Sequence, residues 1–377
     1  MNLTPRQRFV RIMHHQAADR VPIDLSGTSL TAAEPEVMSA LMQATGTAGA
    51  ARHELDSDDE PLLKTLGVDF RRVGSLVAGG ETDIHGRPGF RKDIWGVIRK
   101  WTGQYWDIVE CPLRGATIDD LDHYPWPDPA QIIAAVPLER YQRQAIRLWQ
   151  ETDYVVVAEH PVYGILELAC WMCGFDDFLA RLANDRPFVS RLFGKLLALQ
   201  KSFIEPYYKA LGPYIHLTTS GDDFGTQKGP FMSPRMFQDL VKPYFSERIA
   251  FTRQFTAGYF WHHTCGSVYD LIPDLIDSGV DILNPIQPGA RNMEPERLKH
   301  DYGHLICFHG GFDTQGVLPY GNPESIETEV KRVMTALKPN GGYIFSAAHN
   351  IQSDVPVDNV LAMIKAAHKY GMYQLAD

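Results

Sequence analysis

The residues best suited by type and spacing to do chemistry are His263-Thr264-Cys265-Gly266. In extended backbone, side chains two positions apart point the same way, so the His263 imidazole and the Cys265 thiolate can share one metal ion. A further ligand has to come from elsewhere. His349, 84 positions after Cys265 (349 − 265), follows an apolar run and is the best candidate, with an acidic residue as the alternative. Two imidazoles and one thiolate suit a catalytic zinc with its fourth position open. By spacing alone, a lone HxC is weaker than paired CxxC units, and a buried thiol beside two histidines without metal would read the same way.

Other chemistry-capable residues fall just after short apolar runs. Asp222 and Asp223 follow Tyr214–Thr219 and are the expected catalytic carboxylates, with one facing the barrel mouth; an aspartate capping a turn is the structural alternative. His160, Tyr163, Asn284, Gln287 and Asp313 are substrate-contact candidates by the same placement, with turn or supporting structure equally open to each. Cys170 and Cys173 form a single CxxC with no second pair, so they read as two small apolar thiols on one helix face. Cys307 reads as core, and His14, His15, His300 and His368 as solvent-facing.

The elements that must position these groups are legible as a repeat. Apolar β-rich runs at Tyr154–Ala158, Tyr214–Thr219, Gly258–His262, Val280–Asn284, Leu305–His309 and Tyr343–Ala347 alternate with helical stretches, including Phe188–Lys209, Pro234–Thr256, Pro323–Leu337 and Asp358–Tyr370. Repeated β-α units imply a parallel sheet covered on both faces. Nearly every run ends in polar, reactive residues, which a closed barrel gathers at one mouth, whereas an open sheet would use two or three loops at one crevice. No GxGxxG follows an early strand. The expected fold is an α/β (β/α)8 TIM barrel, one domain over 1–377, with an elaborated N-terminal region. Thr4-Pro5 opens a first helix, residues 32–66 are mostly helical, Val68–Val73 is a strand, and residues 80–130 are an irregular elaboration.

Bulk properties set limits on partners. The chain has 377 residues, enough for one such barrel, and a formal net charge of −10, which disfavours nucleic acid. No apolar run is long enough to span a bilayer, and the N-terminus lacks the apolar region of a secretory signal. Five cysteines, odd and sparse, argue for thiols in a reducing cytoplasm.

The chain resembles the uroporphyrinogen decarboxylase superfamily along nearly its whole length. The resemblance lies in RQRFVRIMHHQAADRVPIDL at the start, HTCG, GVDILNPIQ and GGFDTQ in the middle, and SAAHNIQSDVPVDNVLAMIKAAHKYG at the end. It implies a (β/α)8 barrel. HTCG resembles the zinc motif of the branch that transfers methyl groups to or from corrinoids, including the coenzyme M methyltransferases. That branch completes its site with a cysteine in a GCG-like stretch, where this chain has Ala348-His349-Asn350. The decarboxylase itself uses arginines in an RQAGRY-like stretch near the N-terminus. In that region this chain has Leu25-Ser26-Gly27-Thr28-Ser29-Leu30, without an arginine to grip propionates.

The expected function is a zinc-dependent methyltransferase that moves a methyl group between a small-molecule donor and a corrinoid. The donor would be methoxylated or similar, and the cobalamin would be carried by a separate corrinoid protein. Decarboxylation of a tetrapyrrole ranks second, and a non-catalytic binding barrel third.

Overall fold

The computed structural model describes residues 3–103 and 105–374. Seven parallel strands curl into one sheet: β1 (Phe70–Val73), β2 (Val155–Ala158), β3 (Leu217–Gly221), β4 (Tyr259–His263), β5 (Ile282–Ile286), β6 (Cys307–Phe312) and β7 (Tyr343–Ala347). Each pairs with the next in that order. Residues 21–25 bridge the two edges. On the β7 side Phe345 N–H donates to Pro22 O and Asp24 N–H to Phe345 O, both at 2.9 Å; on the β1 side Asp69 N–H donates to Ile23 O at 3.0 Å. This short run is the eighth stave, so the sheet closes as the α/β barrel expected from the repeat. Helices between strands, such as Ile165–Cys173 and Arg186–Leu211 before β3 and Pro323–Leu337 before β7, cover the outside.

Strand alternation decides what faces the barrel axis. Phe70, Val155, Val157, Leu217, Trp261, Ile282, Cys307 and Ile344 form an inner cluster, sealed from below by Phe9, Ile12 and Met13 of helix Pro5–Met13. Their chain neighbours Val156, Phe260, Leu283, Phe308 and Phe345 belong to the outer cluster against the helices. Carried two residues at a time toward the carboxyl ends, the inward parity runs through Glu159, Asp223, His263, Asn284 and His309, while Asp222 and His262 fall on the outward parity.

Several sequence expectations need correction. Residues 80–130 are not irregular throughout: Glu81–Asp83, Phe90–Asp93, Ile98–Trp101 and Trp106–Glu110 form a four-stranded antiparallel meander. It is pinned by fully buried Trp95, whose indole N–H donates to Ala78 O at 2.9 Å, and by the Asp93–Arg99 ion pair at 2.8 Å. Within residues 32–66 only Pro35–Ala44 and Glu60–Thr65 are α-helical. The third strand begins at Leu217 rather than Tyr214, because Gly212–Tyr214 is a 3-10 turn finishing the preceding helix. His15 and His368 are half-buried rather than solvent-facing, with His368 Nε2 against Leu66 O at 2.8 Å. Among the described residues, no helix is long and apolar enough to cross a membrane.

Candidate metal centre

His263 closes β4 on the inward parity, Cys265 lies two residues on, and His349 follows β7. One ligand atom from each lies within 4.8 Å of the others, and His263 Nε2 is 3.2 Å from Cys265 Sγ. Tetrahedral zinc with bonds of 2.0–2.3 Å holds its ligand atoms ~3.4–3.7 Å apart, so a small inward movement of His349 completes the geometry.

The hydrogen bonds around the two histidines favour metal over an idle cluster. His263 Nδ1–H donates to Asn284 Oδ1 at 2.6 Å, which leaves the Nε2 lone pair facing Cys265. Asn284 Nδ2 in turn donates to His309 Nδ1 at 2.9 Å, and His309 Nε2–H donates to Asp24 Oδ2 at 3.0 Å. Asp24, His309 and Asn284 are each at most 3% exposed. Gly27 closes this arm: its N–H donates to Asp24 Oδ1 at 2.8 Å, and a Cβ there would collide with the carboxylate. On the other side His349 Nδ1–H donates to Asn350 Oδ1, and Asn350 Nδ2 donates to Glu34 Oε1 at 3.0 Å. Each imidazole therefore has its proton on Nδ1 and an unprotonated Nε2, which in His263 faces the Cys265 thiol, the arrangement that outer-shell partners give to metal-binding histidines.

Burial pulls His263 down to about 4, so it is a neutral donor at pH 7. The Cys265 thiol is pushed up, by burial first and then by the charges of Asp223 and Glu167. In metal-free protein it keeps its proton, and loading a metal releases it.

Beside the ligands lies a cavity of about 210 Å³, below the ~300–1,000 Å³ of drug-sized sites. Its walls include Tyr163, Trp171 and Trp261 and the carboxylates Glu159, Glu167 and Asp223, with no lysine or arginine among its lining residues. Asp223 Oδ1 accepts the Cys265 N–H at 2.7 Å. Glu159 is held by Ser29 N–H at 2.8 Å and lies 3.6 Å from Arg72. Glu167 is raised well above the usual carboxylate range, by burial first and then by Asp223 and Asp222.

The residues singled out from sequence divide into three groups. His160, Tyr163, Asp223, His263 and His349 line the cavity, with Cys265 beside His263. Asn284 and Gln287 stand behind the ligands, Gln287 Oε1 accepting Gly266 N–H at 2.8 Å and so holding the turn after Cys265. Asp222 and Asp313 cap helices instead. Asp222 accepts the N–H groups of Ile165, Leu166 and Glu167 at 2.8–3.1 Å, and Asp313 those of Gln315, Gly316 and Val317 at 2.9–3.0 Å. Neither lines the cavity. Asp24, Glu34, Glu167, Trp171, Trp261, His309 and Asn350 were not singled out from sequence as candidates. For His309 and Trp261 the inward parity was the available signal.

Fold and site together define an α/β barrel that builds its chemistry at the carboxyl ends of its strands. The chain belongs to the uroporphyrinogen decarboxylase (URO-D) family, which residues 109–370 match. It is 32% identical over 78 residues to the uroporphyrinogen decarboxylase of Vesicomyosocius okutanii subsp. Calyptogena okutanii, covering 21% of this chain and 22% of that protein. The same identity holds over 74 residues with the Mannheimia succiniciproducens enzyme, 20% of each chain. The chain thus spans about a fifth of the length of these curated relatives. A methyltransferase from Methanosarcina mazei shares the fold with a TM-score of 0.65, covering 98% of this chain and 99% of that one at 17% identity.

Proposed function

We propose that the protein is a methyltransferase that moves a methyl group between a small-molecule donor, methoxylated or similar, and a corrinoid, with zinc held by His263, Cys265 and His349. The observation that carries this reading is the convergence of three ligand atoms within 4.8 Å, with Nδ1 of both histidines bonded to an asparagine oxygen. Zinc there would supply Lewis acidity toward the donor heteroatom. Tyr163, Trp171 and Trp261 exclude water from the reacting bond. A corrinoid in its cob(I) state would take the methyl group as the carbon–oxygen bond breaks, and the proton that the departing oxygen needs would come from solvent by way of Asp223, which lies against Cys265. A cavity of about 210 Å³ does not enclose a corrinoid, so a separate corrinoid protein presents it at the mouth. All five cysteines are unpaired, in keeping with a cytoplasmic protein.

The curated relatives are decarboxylases, which favours decarboxylation of a tetrapyrrole as the second reading. Uroporphyrinogen carries eight carboxylates, and a small cavity walled by three more, with no lysine or arginine in its lining, suits it poorly. A non-catalytic barrel is third.

The test combines metal analysis with a spectroscopic assay. Purified protein should hold one zinc, lost in Cys265→Ser and His349→Ala with the barrel still folded, and should convert cob(I)alamin to methylcobalamin with a methylated donor. Protein unable to take up zinc would sink the site assignment. Release of CO2 from uroporphyrinogen at enzymatic rates would reverse the ranking.

A further inference from the structure

We propose that the small molecule taken by this cavity is a cation, its positive group seated against Glu167, Tyr163 and Trp171 while a heteroatom at its other end reaches the metal ligands. This rests on the zinc-site reading above and adds the chemical class of the ligand.

Glu167 is the leading observation. Its carboxylate lines the cavity and makes no hydrogen bond or ion pair with any described residue. Glu167 is half-buried and its carboxylate opens to the cavity, so a cation arriving there meets a charge that no protein partner has to release. No nearby arginine bonds to it, although Arg99, 5.0 Å from the Trp171 ring centroid, acts on it through space. Arg72 is turned to Glu159 at 3.6 Å, and Arg99 is bound by Asp93 at 2.8 Å and Glu81 at 3.1 Å. Arg248 is fully buried against Tyr163 O and Ser220 Oγ and counterbalances Asp222.

The aromatic walls point the same way. Tyr163 and Trp171 meet edge to face, with ring centroids 4.8 Å apart, and both line the cavity together with Glu167. Aromatic faces beside a carboxylate select alkylated ammonium groups over neutral ones of equal shape. An anionic ligand would meet Glu159, Glu167 and Asp223 with no lysine or arginine in the lining to receive it.

Four thiols of similar length test the proposal: thiocholine, its neutral isostere 3,3-dimethylbutane-1-thiol, 2-mercaptoethanol and 2-mercaptoethanesulfonate. Each is titrated into zinc-loaded protein by calorimetry, and into cobalt-substituted protein, where thiolate binding is seen in the visible spectrum. Thiocholine should bind at least tenfold tighter than its isostere, and the sulfonate weakest of the four. Glu167→Gln and Trp171→Leu should each shrink the thiocholine preference toward one while zinc content stays at one per chain. Equal affinities for thiocholine and its isostere, or tighter binding of the sulfonate, would overturn the proposal. So would loss of zinc in Glu167→Gln, which would make that residue a metal ligand. These binding ratios are read without turnover. A protein that prefers thiocholine but never methylates cob(I)alamin would keep this inference and lose the methyltransferase reading.

Discussion

His263 and His349 meet with ring centroids 5.3 Å apart and planes at 72°, and each gives its Nδ1 hydrogen to an asparagine carboxamide oxygen. The supporting asparagine is Asn284 on one side and Asn350 on the other, and behind each stands a carboxylate, Asp24 through His309 and Glu34 directly. Fixing both tautomers before metal arrives lowers the cost of assembling the site. Removing a support of this kind typically weakens metal binding 10–100-fold. Asn350→Ala, at a half-buried position, should lose about tenfold in zinc affinity with little change in Tm. Asn284→Ala should lose more and also cost about 1–3 kcal/mol of stability, since it strands buried His309 and His263 nitrogens. Chelator competition gives the first quantity and thermal melting the second. Unchanged zinc affinity in both variants would mean the asparagines do not set the ligand geometry.

The adjacent aspartates should separate cleanly. Asp222 satisfies the first three N–H groups of helix Ile165–Cys173, and burial lifts it to about 6 despite them. Asp222→Ala leaves those donors buried and should lower stability by roughly 2 kcal/mol or more. Gly164→Ala should act in the same direction, because its Cβ would strike the Asp222 carboxylate. Asp223→Asn should leave Tm nearly unchanged and reduce methyl transfer. A stable Asp222→Ala protein, or an unstable Asp223→Asn one, would invert the roles assigned here.

Much of this was readable before the structure. The barrel follows from apolar runs ending in reactive residues, and the HxC pair from same-side spacing. Parity could have taken the sequence reading further. Counting by twos along Leu217–Asp223 puts Asp223 with the inward set and Asp222 with the outward, and along Tyr259–His263 it picks His263 over His262. That step needed the strand register, and the turn at Gly212–Tyr214 hid it by displacing the start of β3. Glu167 was not legible, because a glutamate in the first turn of an apolar helix looks like dipole complementation. Nor were Asp24 and Glu34, whose partners lie more than 280 residues away in sequence.

Acid should destabilise the fold through histidines held neutral. His160 and His216 are both pulled down to about 3, by burial first. His216 Nδ1 accepts Val156 N–H at 3.0 Å, a bond that protonation removes. Between pH 6.5 and about 3 the unfolded chain binds these protons and the native chain does not, so stability falls as pH drops through that window. One pH unit below 6.5 costs about 1.4 kcal/mol per histidine at most. Melting of zinc-free protein at pH 7.5 and 5.5 should show the drop, reduced in His216→Gln. An equal drop in that variant would remove His216 from the account.

The last expectation concerns the direction of methyl transfer. As a zinc ligand in the proposed site, the His349 imidazole would add no negative charge where a cysteine thiolate would. Zinc with one thiolate and two neutral imidazoles keeps +1, whereas with two thiolates and one imidazole it is neutral. The residual charge helps an oxygen leave with its electrons more than it helps a bound thiolate attack. Stabilising such a developing anion in a site screened from water is worth about 3–4 kcal/mol, two to three powers of ten in rate. His349→Cys should therefore retain zinc and slow conversion of cob(I)alamin to methylcobalamin by a methoxylated donor. The reverse reaction, methylation of a thiol from methylcobalamin, should gain from the same change. Asn350 loses its imidazole partner in this variant, so zinc content has to be measured beside the rates. If the cysteine protein kept its zinc and demethylated the donor as fast as the native one, the ligand's charge would not be what sets the direction. If the native protein methylated thiols efficiently from methylcobalamin, the preferred direction would be the opposite one.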